Sequence, residues 1–188
     1  MAEGTSARNA PGPLVIRCEA QVRSTGGSTI LRLPDEASAQ LPSRGQVVVK
    51  GVMDGHAFQT VLEPDGRRGH WLKVDAKLRQ ALAVGEGDTV ALTVEPGKDW
   101  PEPDIPEDFQ AALAGAPDIC EVWKSITPMA RWEWVRWINA AKNRQTRERR
   151  VDAGISKLRS GKRRPCCFDL AACTDPDLSK NGMLAEVM

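Results

Sequence analysis

The sequence predicts an α+β protein, in which a small β-barrel of two pseudo-repeated halves is followed by a short α-helical bundle. Three observations predict it. One unit occurs twice: TILRLPDEASAQLPSRGQVVVKGV (Thr29 to Val52) returns as HWLKVDAKLRQALAVGEGDTVALTV (His70 to Val94). Four prolines, at 96, 101, 103 and 106, then interrupt the chain. Beyond them the apolar period changes from two to the helical 3.6.

Each element has its own justification. LVIRCEAQVR alternates apolar and polar residues, with Leu14, Ile16, Cys18, Ala20 and Val22 on one side, which marks a half-buried strand. In the repeat, Leu31 corresponds to Leu72, Leu33 to Val74 and Leu41 to Leu82, after which the second copy carries a residue or two extra. Each copy reads as strand, short helix, glycine-marked turn and strand. HAFQTVLEPDGRRGHWLKV adds strands on either side of a Pro-Asp-Gly turn, for a total of about six. A half-unit that cannot bury its apolar face alone is expected to pack on its twin, and closing the sheet removes its edges. Because both halves lie in one chain, the barrel is expected to close as a monomer. Leu31, Leu33, Val47, Val49, Leu72, Val74, Val90, Leu92 and Val94 are the expected core.

The reading divides the chain into a disordered tail (1–13), a barrel (14–96), a Pro-rich linker (97–106), a helical module (107–168) and a C-terminal tail (169–188). In the helical module, Thr127 and Pro128 suit a helix start. Trp134, Ile138 and Ala141 at i, i+4, i+7 give that helix one buried face. Val151, Ile155 and Leu158 repeat the spacing before Gly161 stops the next helix. Trp132 lies on another face and is expected to cover the barrel.

Composition excludes some functions. No run of about 18 apolar residues exists to span a membrane. The N-terminal sequence lacks an apolar signal region, and five cysteines suit reduced thiols, so a cytoplasmic location is expected. No HExxH, GxSxG or phosphate-cradling glycine loop is present, no catalytic set is assigned and no cofactor is expected. His56 and His70 read as structural. The cysteine spacing lacks the two- to four-residue gaps and histidines of a zinc site, so no metal is assigned.

Charge is the strongest functional signal. Between 142 and 164 stand Lys142, Arg144, Arg147, Arg149, Arg150, Lys157, Arg159, Lys162, Arg163 and Arg164, opposed by Glu148 and Asp152. That net +8 leaves −7 for the rest of a chain whose total is +1. Such a block attracts nucleic acid, a phosphate ligand or an anionic membrane surface. The alternative is a solvated helix face paired with the acidic linker, residues 99–108. The candidate anion-binding set is Lys142, Arg144, Arg147, Arg149, Arg150, Lys162, Arg163 and Arg164. Cys166 and Cys167, beside Arg163 and Arg164, are candidates for reactive thiols.

DFQAALAGAPDICEVWKSITPMARWEWVRWINAAKNRQTRERRVDAGISKLRSGKRRP, centred on WINAAKNRQTRERRV and closing with GKRRP at 161–165, resembles the bacteriocin-protection, OmpD-associated (YdeI/OmdA-like) family. Where that family shows an acidic residue before Thr146, this chain has Gln145. Residues 14–96 resemble the small barrel domain of unknown function that accompanies this module. Each repeat also resembles one half of the double-split barrel of AbrB-like regulators and MazE-like antitoxins, which bind DNA as two chains. Eight basic and nine acidic residues between 29 and 96 do not fit a DNA footprint. The resemblance implies a non-enzymatic binding or stress-protection protein. A second reading is an enzyme or thiol-redox protein with a pocket between barrel and helices.

Overall fold

The computed structural model describes residues 12–185, so the tail expected at 1–13 lies almost wholly outside the described residues. Six strands form the barrel: β1 (Ile16–Thr25), β2 (Ser28–Arg32), β3 (Val47–Met53), β4 (His56–Pro64), β5 (His70–Lys73) and β6 (Thr89–Pro96). The sheet closes in the order β1-β2-β5-β4-β3-β6, with every pairing antiparallel. Short helices α1 (Asp35–Ala39) and α2 (Ala76–Leu82) join β2 to β3 and β5 to β6. The architecture is therefore two β-β-α-β halves, as the duplication requires. Asp75 caps α2 by accepting from Leu78 N–H at 2.7 Å, whereas α1 starts after Pro34 without a side-chain cap.

The register shows how the halves meet. Leu31 pairs directly with its repeat counterpart Leu72. The offset is still 41 at Leu41 and Leu82, the last residue of α2, so the two extra residues lie in the loop between α2 and β6. Carried past that insertion, the correspondence sets Gly51 opposite Val94, and these two also pair directly. The pseudo-twofold axis thus crosses the barrel wall at Leu31–Leu72 and at Gly51–Val94. At the second crossing the strands approach so closely that a Cβ on Gly51 would lie 2.1 Å from the Thr93 carbonyl oxygen. All nine expected core residues are buried, packed with Ile16, Ala20, Val22, Met53 and Leu62 into one interior cluster. Leu14, placed in the buried row by alternation, is instead exposed, because pairing begins at Ile16 with Val94.

After the linker come α3 (Glu107–Ala114), a 3-10 turn (Pro117–Ile119), α4 (Cys120–Ser125), α5 (Pro128–Asn139) and α6 (Arg144–Arg159). Thr127 caps α5 and Asn143 caps α6, each accepting at 3.2 Å from the N–H three residues on. Phe109, Ile119, Trp134, Ile138, Val151 and Leu158 form the second core, apart from the barrel's. Gly154 lets α6 approach closely, since its Cβ position lies 3.6–4.0 Å from the rings of Phe109, Trp134 and Trp137. Trp132 Nε1–H donates to the Pro101 carbonyl at 2.8 Å and so pins the linker.

The C-terminal segment corrects the sequence reading. Residues 169–185, expected as part of a tail, form a strap ending in a small hairpin of β7 (Ser179–Lys180) and β8 (Met183–Leu184). Cys173, Leu178 and Leu184 are buried against Ile30 and Trp71 on the barrel's outer wall, a third apolar cluster. Leu184 N–H donates to the Asp65 carbonyl at 2.9 Å, and Lys73 pairs with Asp175 at 2.7 Å. Three apolar residues spread over twelve positions make no period, which is why the pattern did not reveal the packing.

Candidate functional site

The ten basic residues between 142 and 164 separate into two groups. Arg147 is held by Asp108 of α3 through Nη2 at 2.9 Å and Nε at 2.5 Å, and also reaches Asn139 Oδ1 at 3.2 Å. Its guanidinium holds the Asp108 carboxyl below the usual carboxylate range. Arg159 grips Asp118 in the same two-pronged way. Arg150 lies 5.3 Å from the Trp137 ring centroid and donates to the Trp137 carbonyl. Arg164 donates to Glu133 Oε1 at 2.7 Å, and Lys142 to the Ser179 carbonyl on the strap. Lys157 lies 4.9 Å from the Trp137 ring centroid.

The other four face solvent. Arg144 is 93% exposed, its only partner among the described residues the surface carboxylate of Glu148 one turn on. Arg149 and Lys162 are exposed and have no side-chain partner among the described residues. Arg163 is exposed and, among the described residues, donates only to the Ser125 hydroxyl, at 3.2 Å. For Arg149 helix phase is the reason: Val151, Gly154 and Leu158 face the core, and Arg149 lies about 160° round from Val151 at 3.6 residues per turn, whereas Arg144, about 20° from Val151, is exposed because the helix begins there. A continuous patch containing Arg147, Arg149 and Arg150 together does not form. Among the acidic linker and its flank, pairs join Asp108 to Arg147 and Glu102 to Arg131.

The candidate thiols sit on a loop anchored at both ends. Arg164 bonds Glu133, and Phe168 lies under the Arg136 guanidinium at 5.2 Å. Between them Cys166 and Cys167 are free and exposed. Lys157 Nζ donates to Cys166 Sγ at 3.0 Å, and this contact chiefly holds the Cys166 thiol below its ordinary pKa. Cys173 is different: buried in the strap, its thiol is pushed up to about 11 by burial.

Two further places were not visible in the sequence. The first is a seam of buried charge between barrel, α5 and strap. Arg136, 3% exposed, brings Nε within 3.4 Å of Glu63 Oε2, close enough for an ion pair but without an aligned hydrogen bond. Its Nη groups donate to the carbonyls of Leu170 at 3.2 Å and Ala172 at 2.7 Å. Gln46 donates to Glu63 Oε1 at 2.6 Å. Burial raises the Glu63 carboxyl despite the cation, and burial lowers Arg136. The space beside the seam, between Gln46, Trp100, Met129 and Leu170, is about 60 Å³, too small for an organic substrate. Nearby, His70 is fully buried, with Nε2–H directed at the Gly45 carbonyl at 2.9 Å, which fits its structural reading.

The second is a cleft of about 530 Å³ outside the barrel, where Glu19, Arg23 and Arg32 face Leu184 and Ala185 of the strap. Arg32 is engaged there by Asp65 and Asp35, both at 2.9 Å. These residues come from opposite ends of the chain, so no local motif marks them. No helix among the described residues is long and apolar enough to cross a membrane.

Comparison with known families finds two matches along the chain. Residues 102–161 match the family model described as bacteriocin-protection, YdeI or OmpD-associated. Residues 19–94 match the one described as a domain of unknown function (DUF1905). No curated protein matches the chain.

Proposed function

With a bacteriocin-protection module joined to a closed barrel as the premise, we propose that this is a non-enzymatic protection protein that engages an extended anionic partner. The observation that carries the reading is the set of four outward cations, Arg144, Arg149, Lys162 and Arg163, left over after six others are committed within the fold. Arg144 and Arg149 stand in the first half of α6, and Lys162 and Arg163 just past its end. A sixteen-residue helix is about 24 Å long, so one small phosphate ligand does not reach both groups. A polyanion or a charged lipid surface does.

The test measures binding of the full chain to anionic vesicles and, separately, to duplex DNA. Salt starts at about 20 mM, where a Debye length of roughly 20 Å leaves surface charges weakly screened. Each cation near an anionic surface contributes about 1 kcal/mol, so Arg149→Glu with Lys162→Glu and Arg163→Glu is expected to weaken vesicle binding at least ~100-fold. If duplex DNA is the partner instead, four phosphate contacts give a log–log salt slope of about −3.6, which the triple variant flattens. Absence of binding to both probes at low salt, or binding indifferent to the charge reversal, refutes the proposal.

A further inference from the structure

We propose that Cys166 is a modification site, a solvent-facing thiol beside Lys157 that forms mixed disulfides with low-molecular-weight disulfides and stops at that stage. Three structural facts place it apart from the other cysteines. Lys157 Nζ lies 3.0 Å from Cys166 Sγ and donates to it. The loop is fixed on one side by Arg164 to Glu133 and on the other by Phe168 against Arg136, so the sulfur is held at the surface. Cys18 is half-buried and Cys173 buried, which removes both from competition.

The exchange balances without any further reagent. The Cys166 thiolate attacks one sulfur of RSSR; a Cys166 Sγ–S bond to SR forms as the RS–SR bond breaks, and the other half leaves as the thiolate RS⁻. That thiolate takes up a proton equivalent to the one Cys166 lost on ionising. Cys166 is oxidised as one half of the disulfide is reduced to RSH. Cys167 would have to attack next to close a vicinal bridge. Adjacent Cα atoms across a trans peptide are about 3.8 Å apart, below the usual 4.4–6.8 Å span of a disulfide. The vicinal bridge is thus disfavoured and the adduct on Cys166 persists.

Glutathione disulfide is the probe, and intact mass with peptide mapping reads the product on the full chain. A single glutathione adduct, first on Cys166, is expected near pH 7. Cys120 serves as the internal reference: it is exposed, and its neighbouring Lys124 is shared with Glu121 at 3.2 Å. Lys157→Gln should slow the Cys166 reaction near neutrality. The loss is about threefold for each unit by which the thiol pKa rises, because a tenfold fall in thiolate is partly offset by higher nucleophilicity. At a pH high enough to ionise both thiols fully, the variant should react as fast as the parent or faster. A purely structural role for Lys157 produces no such crossover. Equal rates at Cys120 and Cys166, an unchanged rate in Lys157→Gln, or a Cys166–Cys167 disulfide as the product overturns the proposal.

Discussion

Replacing Arg136 with methionine keeps the stem of the side chain and deletes its charged end. Three things are lost together: the ion pair to Glu63, and the donors to the carbonyls of Leu170 and Ala172. Glu63, whose side chain is 21% exposed, is left with Gln46 as its hydrogen-bond donor. Removing one partner of a buried pair typically costs about 3–5 kcal/mol, because the other charge stays desolvated. For a chain of this length that is a fall in Tm of roughly 6–20 °C. The pH dependence gives the sharper signature. Burial already raises the Glu63 carboxyl above its ordinary value, and Arg136 is the largest opposing influence. In the variant the carboxyl rises further, so the folded state binds a proton that the unfolded state has released. Stability of the variant relative to the parent therefore falls as pH rises from the ordinary carboxylate range through the folded-state value. The penalty should be largest near neutrality and shrink toward about pH 5. Adding Glu63→Gln should remove most of that pH dependence and recover part of the loss. Urea melts of the four proteins of this cycle, at both pH values, measure it. A loss below ~1 kcal/mol near neutrality, or one unchanged by acid, would show that the seam does not hold barrel and helices together.

Two predictions concern the barrel alone. Leu72→Ala removes a 1% exposed side chain at the axis and should cost about 2–5 kcal/mol in urea melts; a loss well under ~1 kcal/mol would contradict the Leu31–Leu72 register. Gly51→Ala places a methyl group 2.1 Å from a backbone oxygen, which no side-chain adjustment relieves, so its destabilisation should match or exceed the ~1–3 kcal/mol of an overpacked core. A neutral result there would show that β3 and β6 are further apart.

The barrel was legible because its signals are local and repeated. Alternation marked the strands, and the constant offset between Leu31 and Leu72 marked two equivalent halves that were expected to pack on each other. Helix ends were legible for the same reason: Thr127, Pro128 and Gly161 act on their immediate neighbours. Gly51 could not be understood this way. Its need for a missing Cβ arises from Thr93, some forty residues on, and only the register brings them together. The strap shows the same limit, since Leu178 and Leu184 find Ile30 and Trp71 across most of the chain.

The site residues divide along a similar line. Sequence counts charges and does not say which are already neutralised. Arg147, Arg150 and Arg164 belong to the same basic run as Arg149 and Lys162, yet each has found an acid, a ring or a carbonyl within the fold. Helical geometry gives part of the reason in advance, because residues 147, 149 and 150 cannot share one face. The rest depends on Asp108 and Glu133 arriving from other helices. Arg136 makes the point most strongly. It stands among three tryptophans on α5, where its charge looks like the polar side of an amphipathic helix. In the fold that side of α5 meets Glu63 and the strap carbonyls, so the arginine joins barrel, helix and strap at one point. A cation placed there has no free direction to bind a partner, whereas Arg149, on the far side of α6, has no acid in contact among the described residues. The surface available for recognition is therefore defined by what the buried and paired arginines leave over.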